Sequence, residues 1–146
     1  MKLSQSIIEV FDNHTGELQY TIKSRNAIRK NYLIFKKGSK LISVQSSFFT
    51  RRNWKYIDRH GKQIGRIKFT WLMGKGISLK LHDLSYFGDR FIRGKFHLKK
   101  KDTLQTCFTI NRKDKGINDD ILIEDFQVLP KEVIVVLAYL IHKRLT

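Results

Sequence analysis

Pro130-Lys131-Glu132-Val133-Ile134-Val135-Val136-Leu137-Ala138-Tyr139-Leu140-Ile141-His142-Lys143-Arg144 contains nine residues, Val133 to Ile141, with no polar group except the Tyr139 hydroxyl. A surface helix shows one apolar stripe, so a segment apolar on every side has to be enclosed. Even with its flanks, at about 12 residues, it is too short for the ~30 Å hydrocarbon core of a bilayer. The enclosing material is therefore protein. The β-branched run Val133–Val136 would also suit a central strand, but three features decide for a helix. Proline fits the first helical position, where its missing N–H loses nothing. Glu132 sits in the first turn, and His142, Lys143 and Arg144 in the last, as the helix dipole favours. The stretch also exceeds the usual strand length.

Everything before Pro130 reads as short strands divided by turns. Asn13–Gly16 separates Ile7–Asp12 from Glu17–Lys23, and Lys37–Ser39 separates Tyr32–Lys36 from Lys40–Gln45. Asp58–Gly61 separates Arg52–Ile57 from Lys62–Trp71. Gly74–Gly76 precedes Ile77–Leu81, Phe87–Asp89 precedes Arg90–Lys99, and Lys100–Asp102 precedes Thr103–Arg112. A last strand, Ile121–Gln127, follows a polar loop, Asp114–Asp120, and leads into the helix. This pattern predicts a mainly β protein of about ten strands, in one domain over residues 1–146, with a closed antiparallel sheet around the C-terminal helix.

Successive side chains of a strand point to opposite faces. Trp54, Tyr56, Ile67, Phe69 and Trp71 are then inward, and Asn53, Lys55, Arg66 and Lys68 outward, provided the Asp58–Gly61 loop has an even length that keeps both strands' faces consistent. Along Arg90–Lys99 the same parity puts Ile92, Phe96 and Leu98 inward and Arg93, Lys95, His97 and Lys99 outward. Two outward basic rows result, and six residues become candidate anion-binding groups: Lys55, Arg66 and Lys68, and Arg93, Lys95 and Lys99.

The net charge of +16 is concentrated where those rows lie. Residues 1–20 carry 1 base and 3 acids, residues 21–115 carry 25 bases and 5 acids, and residues 116–146 carry 3 bases and 5 acids. The excess belongs to the strand-rich body, so an anionic partner would meet a folded surface. A single cysteine, Cys107, excludes an internal disulfide framework. The N-terminal stretch, with Glu9 interrupting its apolar residues, is not a secretory signal, and the expected location is cytoplasmic, including the membrane surface.

No catalytic constellation emerges. The five histidines show no pair at metal-ligand spacing, and there is no nucleophile elbow, phosphate-binding loop or dinucleotide fingerprint. Cys107 reads as a packing residue, Gly74–Gly76 as a turn, and Asp119, Asp120, Glu124 and Asp125 as a solvated acidic stretch. No metal, cofactor or enzymatic turnover is expected.

Val10-Phe11-Asp12-Asn13-His14-Thr15-Gly16-Glu17 and Tyr56-Ile57-Asp58-Arg59-His60-Gly61-Lys62-Gln63-Ile64-Gly65 are two strand–Asp–turn–Gly–strand units. With the apolar C-terminus they make the chain resemble the LURP-one-related and phospholipid-scramblase group of the Tubby C-terminal superfamily, particularly its small bacterial members. That resemblance implies a closed barrel of about twelve antiparallel strands around a central hydrophobic helix. It also implies membrane association through basic side chains, since Tubby proteins bind phosphoinositide head groups in that way. The scramblase cysteine-rich and calcium-binding segments are missing, so lipid scrambling is not expected, and no lipid-contact motif carries over residue by residue.

The expected function is a binding module docking on an anionic membrane surface or a phosphorylated lipid head group. A nucleic-acid binder using the same bases is the alternative, weakened because parity places most aromatics inside. The third reading is a structural or regulatory protein whose charge is incidental.

Overall fold

A computed structural model describes residues 5–26, 30–46, 52–70, 76–112 and 121–145. Among them lie eleven strands and one helix: β1 (Gln5–Phe11), β2 (Leu18–Asn26), β3 (Lys30–Lys36), β4 (Ser39–Ser46), β5 (Asn53–Asp58), β6 (Gln63–Thr70), β7 (Gly76–Leu81), β8 (Leu84–Gly88), β9 (Lys95–Lys100), β10 (Thr106–Arg112), β11 (Ile121–Asp125) and α1 (Lys131–Leu145). The strands follow one another in a single sheet in chain order, and no pair closes it among the described residues. Trp71, Gly74, Lys75 and the Asp114–Asp120 loop lie outside the described residues.

The chain divides into two compact units, residues 1–67 and 68–146. In the first unit, cross-strand neighbours stack isoleucines into a row: Ile8 faces Ile22, Ile22 faces Ile34, and Ile34 faces Ile42. A second row runs Ser24, Tyr32, Val44 and Tyr56. Tyr32 and Trp54 stack at 5.6 Å, and Trp54 and Tyr56 are fully buried while Lys55 between them is exposed. The parity expected from sequence holds here and along β6, where Ile67 and Phe69 are buried and Arg66 and Lys68 exposed. Some bases of this unit serve packing: the Lys23 ammonium lies 4.7 Å from the Phe35 ring centre.

Both Asp–turn–Gly units are Asx turns. Asp12 Oδ1 accepts the backbone N–H groups of His14 and Thr15 at 2.8 and 2.9 Å, and Asp58 Oδ1 accepts those of His60 and Lys62, both at 2.9 Å. These bonds favour the ionised form, led by Thr15 N–H at Asp12 and Lys62 N–H at Asp58, and hold both carboxyls below the usual 3.8. A folded-state value below the unfolded one stabilises the protein above the unfolded value, and this contribution is lost as pH falls through the folded one. Urea midpoints should therefore drop more steeply below about pH 4 in the wild type than in the D12N/D58N variant, whose amides keep an acceptor but do not titrate there. Identical acid profiles would remove these carboxylates from the account.

In the second unit the inward faces of β7 to β10 carry Leu79, Leu81, Tyr86, Phe96, Leu98, Phe108 and Ile110, all buried. Pro130 precedes α1, and the N–H groups of Val133 and Ile134 both donate to its carbonyl at 3.1 Å. Val133 through Ala138, Leu140 and Ile141 are buried, which covers every direction around the axis at 3.6 residues per turn. The expectation of a helix apolar and covered on all sides is met. No helix among the described residues is long and apolar enough to cross a membrane.

Two corrections concern β8 and β9. Phe87 and Gly88 are not a turn but the end of β8, a strand the turn signals did not reveal, because the connection before it is His82-Asp83, without glycine and with His82 at φ 53°. Arg90–Lys99 is not one strand either. Ile92 and Lys95 close a two-residue turn at Arg93-Gly94, whose φ values of 53° and 77° are those a type I′ hairpin turn requires. The turn resets the parity, so Ile92, expected inside, is 60 % exposed, while Phe96 and Leu98 are buried as expected.

Gly88 belongs in the strand because of its neighbour. A Cβ there would overlap Phe96 Cζ and stand 3.0 Å from the His97 carbonyl oxygen, and the Phe96 ring is fully buried. Gly88→Ala should cost about 1–3 kcal/mol by overpacking, read as a lower urea midpoint with unchanged slope. A midpoint equal to wild type would mean that Phe96 can give way.

Candidate functional site: a basic groove on strands β8 and β9

The β8–β9 hairpin and its connection shape a groove of about 420 Å³, lined by Phe87, Asp89, Arg90, Ile92, Arg93, Lys95, His97 and Lys99. All eight residues belong to the second unit. The register builds the groove. Phe87 on β8 stands opposite Lys99 on β9, and on β9 the outward alternation presents Lys95, His97 and Lys99 in a row.

The connection from Asp89 to Gly94 completes it and is held at several points. Ile92 and Lys95 exchange backbone hydrogen bonds at 2.9 and 3.0 Å, and Arg112 N–H donates to the Gly94 carbonyl at 2.8 Å. Phe91, half-buried, packs its ring 5.5 Å from Phe96 and carries the Arg112 guanidinium 4.6 Å from its centre. Arg90, Ile92 and Arg93 are thereby displayed from a pinned turn, so an anion bound there would not have to order a loose loop.

His97 is oriented by the neighbouring strand: its Nδ1 lies 2.9 Å from Thr109 Oγ1, and Thr109 faces it across the β9–β10 pair. Four bases against one acid, Asp89, give the groove a positive potential, while Phe87 and Ile92 supply apolar surface in the same concavity.

Of the six residues expected from sequence to bind an anion, Arg93, Lys95 and Lys99 line this groove together. Lys55 on β5 and Arg66 and Lys68 on β6 are exposed but do not line it. Sequence reasoning missed Phe87, Arg90 and Ile92 as groove residues. Their signal was the Arg93-Gly94 dipeptide, a hairpin-turn pair inside an otherwise strand-like run.

Cys107 is fully buried on β10, beside a register shift between Thr106 and Phe108, and burial pushes its thiol above the ordinary value. A thiol so placed is held in its unreactive form. Asp119 and Asp120 lie outside the described residues. No family model, curated protein or solved structure matches the chain.

Proposed function

We propose that the protein is a non-enzymatic binding module that docks on anionic membrane surface, taking lipid phosphates into the groove between β8 and the Arg93-Gly94 turn. The observation that carries this reading is the convergence of Arg90, Arg93, Lys95 and Lys99 on one concavity with a single acid. Bases near an anionic leaflet contribute about 1 kcal/mol each, so four placed side by side can hold a protein there reversibly. The resemblance to the Tubby C-terminal group belongs to the same reading, with the sheet closed as a barrel around α1. One observation favours nucleic acid as a second reading: Phe87, partly exposed beside Lys99, offers a ring on which a base can stack.

Co-sedimentation with phosphatidylglycerol vesicles, beside phosphatidylcholine vesicles and a single-stranded DNA shift assay, separates the readings. Docking predicts sedimentation with the anionic vesicles only, weakening as salt shortens the Debye length to about 8 Å. Tighter binding to DNA than to vesicles selects the second reading. Failure to bind either polyanion at low salt refutes both.

A further inference from the structure

Ile92 lines the groove, yet anion binding does not explain it. An aliphatic side chain offers no hydrogen bond to a phosphate and no ring for a base, yet it is 60 % exposed at the mouth of a turn flanked by Arg90, Arg93 and Lys95. The turn is tied at both ends, by the Ile92–Lys95 hydrogen bonds and by the bond from Arg112 N–H to the Gly94 carbonyl. Nearby, Phe87 adds a second partly exposed apolar side chain to the same groove.

We infer that the Ile92–Lys95 turn is a membrane-inserting tip: Ile92 enters the boundary between head groups and acyl chains while Arg90, Arg93 and Lys95 engage the lipid phosphates around it. An apolar side chain ringed by bases matches the layering of an anionic leaflet, with charge at the surface and hydrocarbon a few ångströms below. A polynucleotide has no equivalent apolar layer, so the aliphatic tip favours lipid over nucleic acid. This inference rests on the docking proposed above and adds its depth and orientation. It also implies a component of binding that salt does not screen, because burial of apolar surface carries no charge.

The test uses the full chain with a polarity-sensitive maleimide fluorophore on Ile92→Cys. Cys107 is buried with its thiol pushed up, so labelling goes to position 92. Thr103→Cys, exposed on the turn at the far end of β9, carries the same probe as a control. With phosphatidylglycerol vesicles at low salt, the probe at 92 should brighten and shift to the blue, and the probe at 103 should not. In a second measurement, Ile92→Ser should bind these vesicles about tenfold more weakly than wild type, with a steeper loss as salt is raised. Vesicle sedimentation without a spectral change at position 92, or equal affinity of Ile92→Ser and wild type, overturns insertion and leaves docking standing. No sedimentation of the unlabelled wild type refutes docking, and insertion with it. A response at 92 to single-stranded DNA but not to vesicles also overturns the inference.

Discussion

A chain ending at Pro130 is expected to be insoluble or unfolded. The segment removed carries Val133 to Ala138, Leu140 and Ile141, all buried, so every direction around the helix axis loses its filling at once. Truncating one buried leucine or isoleucine to alanine costs about 2–5 kcal/mol, and a whole domain is stable by only about 5–15 kcal/mol. Two such losses consume most of that margin, and the deletion removes four buried leucines and isoleucines, Ile134, Leu137, Leu140 and Ile141, together with three buried valines. The milder Leu137→Ala variant should stay folded and lose about 2–5 kcal/mol, because Leu137 is fully buried and its cavity lies mid-helix. Circular dichroism and gel filtration read the first variant, and urea unfolding the second. A monomeric truncated protein with native melting would show that α1 is dispensable to the core.

The second large effect is on binding. Reversing Arg93, Lys95 and Lys99 to glutamate removes three attractions of about 1 kcal/mol each and puts repulsion in their place, so vesicle affinity at low salt should fall by at least about 100-fold. Stability should hardly change, since these side chains sit on the outward face and surface substitutions usually stay within about 0.5 kcal/mol. K55E/R66E/K68E is the charge-matched comparison. It lowers the net charge by the same amount but leaves the groove intact, and should lose far less affinity. Equal losses in the two variants would assign binding to overall charge and not to the groove.

The sequence made the helix legible because its apolar run is unbroken and its ends carry dipole-matched charges. It made β1 to β7, β10 and β11 legible as apolar–polar runs, several of them set apart by glycine or Asx turns such as Asn13–Gly16, Lys37–Ser39 and Asp58–Gly61. Both clues failed at one place. Gly88 looked like punctuation, but it lies inside a strand where the Phe96 ring leaves no room for a Cβ. The true connection, His82-Asp83, has neither glycine nor asparagine to mark it. That single miss shifted the reading of Arg90–Lys99 and turned Ile92 inward. The outward bases survived the error, since Lys95, His97 and Lys99 follow the turn and keep their alternation with Phe96 and Leu98. The groove itself was not legible: it arises from the pairing of Phe87 with Lys99 and from the turn that sets Ile92 beside Lys95, neither of which a one-dimensional pattern contains.

Hydrogen–deuterium exchange of the full chain, with and without phosphatidylglycerol vesicles at low salt, locates the contact surface without any substitution. Docking through the groove predicts slowed exchange concentrated in residues 87–99, with the amides of Lys55, Arg66 and Lys68 unchanged. Vesicle-bound protein whose 87–99 amides exchange as fast as in the free protein would contradict it.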